Sequence, residues 1–169
     1  MDPLPEFPLA VAGVRWRCLG LSQSDFLIEL AESFALLLEG AREARERAYA
    51  PYSGFRVGAA VRMDGRIFTG ANVENASYGA TLCAERTAIS AAVAAGHRSL
   101  GIVAISTDAA DQADLGGRAP CGLCRQVISE FSAPGLLVLL DGGRGADGLS
   151  KGEAVPFELL LPWRFRFAK

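Results

Sequence analysis

The chain has 169 residues, half of them hydrophobic and 21% charged, which excludes a disordered polymer and suits one globular domain. Its 17 basic and 19 acidic residues leave a formal charge of −2, and no Lys/Arg run is present, so the electrostatic footprint of a long nucleic-acid binder is missing. The longest apolar stretches, such as residues 136–140, fall far short of the ~20 residues that cross a bilayer.

Residues 1–21 hold three prolines and no periodic pattern, and read as an irregular N-terminal arm or extension; residues 22–169 read as a single domain. Asp2 and Glu6 precede a Pro-broken apolar stretch, the reverse of an export signal, so a cytoplasmic protein is expected. From Ser22 or Ser24 a helix is predicted, because Phe26, Leu27, Leu30, Phe34, Leu37 and Leu38 recur at three- and four-residue spacing. It ends in the polar residues 39–47, ahead of the breaker Tyr49-Ala50-Pro51-Tyr52-Ser53-Gly54. Residues 55–63 and 66–73 read as a hairpin about the turn pair Asp64-Gly65. After a loop over 74–82, a second helix is predicted from Cys83 to Ala95, with Gly96 as its C-cap. Residues 100–106 form an apolar, β-branched run typical of a strand buried on both faces. A polar loop with two consecutive glycines spans 107–120, a third helix opens at Cys121, and a buried strand follows at 136–140. Residues 142–152 read as a Gly-rich loop, and an apolar piece closes the chain. This order predicts an α/β fold, a mixed sheet sandwiched by helices.

The sharpest chemical feature is Cys83-Ala84-Glu85, followed 38 positions after Cys83 by Pro120-Cys121-Gly122-Leu123-Cys124. Three thiolates suit zinc, and a catalytic zinc commonly takes three protein ligands and leaves the fourth position open. Cys121 and Cys124 are three apart, so at a helix start they share a face. Helix N-termini lower thiol pKa and favour the thiolate that zinc requires. Glu85 is not needed to complete the metal site, which frees its carboxylate for proton transfer. Cys-x-Glu paired with Pro-Cys-x-x-Cys is the pattern of zinc deaminases. Three thiolates over-neutralise a dication, and Arg86 or Arg125 could donate to sulfur and offset the excess. The plainer readings are a redox Cys-x-x-Cys pair and a structural site with Cys18 as fourth ligand. The sole histidine, His97, reads as a helix-end residue.

Four segments in order carry a resemblance: Ala50-Pro51-Tyr52-Ser53-Gly54-Phe55-Arg56-Val57-Gly58-Ala59-Ala60, Asn72-Val73-Glu74-Asn75, Cys83-Ala84-Glu85-Arg86-Thr87 and Pro120-Cys121-Gly122-Leu123-Cys124-Arg125-Gln126. From about Leu30 to Phe165 the chain resembles the small homotetrameric cytidine deaminases. The resemblance implies a three-layer α/β/α fold around a mixed five-stranded sheet, with one zinc ion per chain. Cys83, Cys121 and Cys124 would hold that zinc, with Glu85 as the catalytic proton shuttle and Arg86 bonded to the thiolates. Asn72 and Glu74 would bind the ribose 3′-hydroxyl, Phe55 would pack near the pyrimidine, and the Ala84 backbone N–H would contact the base. Leu160-Leu161-Pro162-Trp163-Arg164-Phe165 is similar to the family's C-terminal segment, which implies that Phe165 reaches into a neighbouring subunit's site of a homotetramer. Trp163-Arg164 departs from the family pattern in bulk. The implied reaction is hydrolytic deamination of cytidine and deoxycytidine to uridine and deoxyuridine, a step of pyrimidine salvage in which a zinc-activated water attacks C4 and ammonia leaves.

Read from the residues alone, Phe55 is ordinary core, and the plainer alternative for Asn72 with Glu74 is a turn closing the hairpin. Alternation puts residues 72 and 74 on one side of their strand, where an acceptor and a donor together suit sugar hydroxyls. Competing functions are deamination of a modified cytosine nucleoside such as an antibiotic, editing of a polynucleotide, and a non-catalytic zinc-stabilised binding module. The expected partner is a small nucleoside, with no nucleic acid and no membrane. The apolar run 157–165 is rich enough to seek a partner surface or to cover its own sheet.

Overall fold

The computed structural model describes residues 6–11, 13–20 and 28–167. Its strands are β1 (Glu6–Val11), β2 (Val14–Leu19), β3 (Val57–Met63), β4 (Arg66–Ala71), β5 (Leu100–Thr107), β6 (Ser132–Arg144) and β7 (Ser150–Pro156). Its helices are α1 (Ile28–Arg45), α2 (Ala84–Ala94), α3 (Gly122–Phe131) and the single turn α4 (Phe157–Leu160). All seven strands join one mixed sheet in the order β1-β2-β7-β6-β5-β3-β4. β2–β7 and β5–β6 are parallel, and the remaining neighbours are antiparallel.

Period-two alternation divides the core between the two faces. Val61, Val103, Ile105, Val138 and Leu140 pack under α2, α3 and α4. Ala60, Ile102, Ala104 and Leu139 point the other way and pack with Phe34, Leu37, Leu38 and Ala41 of α1. The helix face of α1 therefore agrees with its sequence periodicity; the expected start at Ser22 or Ser24, with Phe26 and Leu27, lies outside the described residues. Asp64 (φ 48°) and Gly65 (φ 80°) make the two-residue turn of the β3–β4 hairpin, both in the left-handed region that such a turn requires. α2 lies close against β4 because Gly70 has no side chain: a Cβ there would sit 2.4 Å from the Ala88 nitrogen. Among the described residues no helix is long and apolar enough to cross a membrane.

The sheet has seven strands where five were expected, and the two added ones come from the segment expected to be an irregular arm. Val14, Trp16 and Cys18 are buried while Arg15 and Arg17 are exposed, a strand alternation that the nearby prolines obscure in the sequence. Pro8 is accommodated because β1 is an edge strand, where a missing N–H removes no interior ladder bond. The expected loop at 142–152 shrinks to the residues between β6 and β7. Gly152 belongs to β7, where a Cβ would meet the Trp16 ring at 2.6 Å, so this glycine makes room for an indole and not for a turn.

A polar cluster crosses the α1 face. Arg42 donates to Asp141 Oδ1 at 2.6 Å and Oδ2 at 2.9 Å, and Ser106 donates to Oδ2 at 2.7 Å. The Asp141 side chain is only 2% exposed. Burial alone would raise its carboxyl pKa, but the hydrogen bonds from Arg42 and Ser106, with the Arg42 charge, outweigh burial and hold it below the ordinary value.

Candidate active site and metal centre

β4 and β5 each lead, through a loop, to a helix that starts with a cysteine. Cys83 is the N-cap of α2 and Cys121 the N-cap of α3, both in extended backbone, and Cys124 lies in the first turn of α3. The β5–α3–β6 crossover and the packing of α2 on β4 bring these two N-termini to one end of the sheet. The three sulfur ligand atoms lie within 4.8 Å of one another. Three thiol sulfurs this close together are a donor set that suits zinc. Cys18 is no part of this group. It is fully buried on β2, and burial pushes its thiol up to about 11.

The electrostatics favour a thiolate in the group. The Cys83 thiol is held down at about 5, chiefly by the hydrogen bond from Cys124 and then by the Arg86 guanidinium; Cys124, as donor to Cys83 and buried, is pushed up. Arg86 donates to Cys83 Sγ at 3.8 Å and to the Thr81 carbonyl at 2.7 Å, which fixes the guanidinium beside the sulfurs. Arg125 does not share this role. Its guanidinium donates to the carbonyls of Pro120 (2.8 Å) and Leu160 (2.9 Å), tying α3 to the C-terminal segment. His97, at the end of α2, stacks at a tilt on Phe68 and faces Asp64 at 3.5 Å, far from the cysteines in the fold.

A cavity of about 330 Å³ opens onto the cysteines, and Phe55, Asn72, Cys83, Glu85, Thr107 and Cys121 are among its walls. Glu85 is 4% exposed, and burial pushes its carboxyl up to about 7. A carboxyl so placed exchanges a proton easily near neutral pH.

The sequence matches the model of the cytidine and deoxycytidylate deaminase zinc-binding region over residues 32–140. The chain belongs to this family. It is 45% identical over 111 residues to a cytidine deaminase of Halalkalibacterium halodurans, an alignment that covers 65% of this chain and 80% of the relative. The crystal structure of cytidine deaminase from Burkholderia pseudomallei superposes with a TM-score of 0.63 at 42% identity, covering 78% of this chain and 98% of that one. A blasticidin-S deaminase of Bacillus cereus is 33% identical over 131 residues, 74% of this chain and 84% of that protein.

The family's zinc-binding region contains the cysteine group, and the donor set fits zinc: three thiol sulfurs, two of them at helix N-caps, with the Arg86 guanidinium alongside. The cavity beside it also collects Phe55 and Asn72, while Glu74 and Phe165 lie off its walls. Asn72 accepts from the Val57 N–H at 2.8 Å and donates to the Phe55 carbonyl at 3.0 Å, so it holds the entry to β3 while facing the cavity. Glu74 accepts the Tyr52 N–H at 2.9 Å, the Ser53 N–H at 3.2 Å and the Ser53 hydroxyl. Those bonds, the Ser53 hydroxyl first, lower its carboxyl pKa. The Asn-x-Glu pair therefore braces the turn that presents Phe55. Ala84 is buried at the first position of α2, where its N–H belongs to the unpaired donors of the helix start. Phe165 is 64% exposed, its carbonyl accepting from Gln126 at 3.2 Å and its ring set edge-on to Phe167.

Sequence reasoning missed Thr107, Gly116 and Gly117, which also line the cavity. The consecutive glycines ahead of Pro120-Cys121 were a legible sign of close backbone approach. A second cavity, of about 410 Å³, lies between β2, β7 and residues 111–113 and contains none of the cysteine group.

Proposed function

We propose that the chain deaminates cytidine and deoxycytidine hydrolytically, giving uridine or deoxyuridine and ammonia. The observation that carries this reading is a buried glutamate, Glu85, in the wall of a nucleoside-sized cavity beside three convergent cysteines. The cytidine deaminase relatives support the substrate class. Zinc, when held by Cys83, Cys121 and Cys124, supplies a Lewis acid that brings the pKa of a water toward neutrality. Glu85 takes a proton from the attacking water and delivers it to N3 of the pyrimidine. It then carries the second proton to the departing amine, so one water enters and one ammonia leaves. Arg86 holds the thiolate side of the site, Phe55 flanks the base, the Ala84 N–H bonds the base edge, and Asn72 with Glu74 serves the sugar 3′-hydroxyl.

The same proposal takes residues 22–169 as one deaminase unit, working in the cytoplasm on free nucleosides as part of pyrimidine salvage. Four free cysteines support a reducing compartment. It also takes the working form as a homotetramer in which Phe165 reaches a neighbouring site. Support comes from the exposed aromatics of the C-terminal segment, Trp163, Phe165 and Phe167, at 95%, 64% and 83% exposure. Light scattering on the eluting protein checks the tetramer.

The deciding experiment follows loss of cytosine absorbance with cytidine, deoxycytidine, free cytosine and blasticidin S as substrates. Turnover of both nucleosides and not of the free base is expected. Turnover of blasticidin S alone would replace this reading with that of a modified-nucleoside deaminase, for which the Bacillus cereus relative is the supporting observation. Zinc binding with no turnover of any of the four would point to the inactive zinc module.

A further inference from the structure

Residues 108–120 connect β5 to α3, the helix that starts at Cys121 and carries Cys124, and two features pin them from opposite ends. At the near end, Thr107 donates its hydroxyl to the Gly117 carbonyl at 3.2 Å and accepts the Ala109 N–H at 3.1 Å. At the far end, Arg118 is 3% exposed and reaches through the loop into the sheet. It donates to the Asp141 carbonyl on β6 at 3.1 Å and to Glu153 on β7 at 3.2 Å, with the second carboxylate oxygen 2.9 Å away. Arg17 of β2 donates to the same Glu153 oxygen, Oε1, at 2.5 Å. Gly116, Gly117 and Ala119, the backbone that Arg118 anchors, lie in the wall of the cavity that holds Glu85 and Cys83.

We propose that Arg118 is a positioning residue for the nucleoside, clamping the Gly116–Gly117 wall through the Arg17–Glu153–Arg118 bridge, so that the N-terminal hairpin helps to shape a substrate pocket it does not touch. This inference rests on the reading of that cavity as the nucleoside pocket. Consecutive glycines have the largest backbone freedom of any pair, and a pocket wall made of them binds well only if something else fixes it. An arginine anchored on strands is well suited, because its planar fork reaches a carboxylate and a carbonyl at once. The hairpin, β1 and β2, lies outside the residues 32–140 matched by the family model, so the bridge ties the two strands beyond the expected five to the cavity. Thr107 and Arg118 hold adjacent backbone from opposite ends, and neither contacts a cysteine ligand in any hydrogen bond described. Loss of Arg118 should therefore disturb substrate fit and spare the metal.

The test uses the full zinc-loaded chain. Arg118→Met and Arg118→Lys are compared with wild type for kcat and KM on cytidine, zinc per chain, and the Kd of uridine by calorimetry. Arg118→Met is expected to raise KM and the uridine Kd together by about tenfold, with kcat within about twofold and zinc retained; a wall displaced by about 1 Å is enough for such a loss. Arg118→Lys, which keeps the charge and loses the fork, should fall between. An unchanged KM and uridine Kd with only a lowered Tm would overturn the proposal, as would loss of zinc together with kcat. Arg17 remains on Glu153 in Arg118→Met, so the carboxylate is not left bare. Should that variant nevertheless not fold, Glu153→Gln weakens the same bridge and must shift KM in the same direction, or the clamp is refuted. Wild type that neither turns over cytidine nor binds uridine would refute the pocket reading itself, whereas wild-type turnover with unchanged variants refutes the clamp alone.

Discussion

The two faces of the sheet are built from the same alternating strands, yet only one of them carries chemistry. Under α2 and α3 the apolar core runs up to two helix N-termini, and there the sequence places three cysteines and a buried glutamate. Under α1 the core is equally apolar, and its polar groups are tied to one another: Arg42 donates to Asp141 and Ser150, and Ser106 donates to Asp141. The difference is one of termination. A helix start facing a cavity offers unpaired N–H groups and a positive dipole end that stabilise thiolates, whereas a helix packed along its length offers only side chains, and paired charges there serve stability.

The comparison breaks first at the metal. Cys121→Ala is expected to lose its zinc and all measurable turnover, because two sulfurs cannot close the site; metal analysis by atomic absorption checks this. A variant holding one zinc per chain as tightly as wild type would remove Cys121 from the ligand set. Next, Glu85→Gln should keep zinc and fold while lowering kcat by more than about a hundredfold, since the amide cannot carry a proton. Near-wild-type kcat in that variant would sink the shuttle role.

On the α1 face the expected effects are on stability. Arg42→Met strands the Asp141 carboxylate, whose side chain is 2% exposed, and should cost about 3–5 kcal/mol in denaturant unfolding. The pH dependence has a definite sign. Asp141 titrates below its unfolded value, so its contribution is present above the unfolded pKa of about 3.9 and is lost as pH falls through the lower folded value. Arg42→Met should therefore lose that part of the acid sensitivity. A melting profile against pH that matches wild type in shape would show that the pair is not the stabilising element.

How much of this was legible follows the same division. The convergence of Cys83, Cys121 and Cys124 was legible, because metal chemistry demands particular residue types at particular spacings, and the structure brings the three sulfurs within 4.8 Å of one another. The hairpin turn at Asp64-Gly65 and the face of α1 were legible for a similar local reason: φ and periodicity act within a few residues. β1 and β2 were not, since Pro8 and the short alternation at residues 14–18 declare a strand only once β7 is present to pair with it. Gly152 misled in the same way, as a glycine that accommodates Trp16 looks in sequence like one that makes a turn. Arg118 gave no sign at all, because its partners lie 23 and 35 residues further along the chain.

Cys18 supplies the smallest and most discriminating case. It is as buried as Cys124, but it sits near the end of β2, clustered with Val14, Trp16 and Ala154, and it caps no helix. Its thiol is pushed up to about 11 by burial, while Cys83, with Cys124 and Arg86 beside it, is held at about 5. One cysteine thus has the character of a small hydrophobe and the other that of a thiolate, and burial alone does not separate them. Cys18→Ala should retain one zinc per chain and wild-type kcat and KM, and should lose about 1 kcal/mol of stability through the removed sulfur. A fall in zinc content in this variant would mean that the fourth cysteine reaches the metal after all. The difference between the two faces would then lie in packing, and helix termini would no longer explain it.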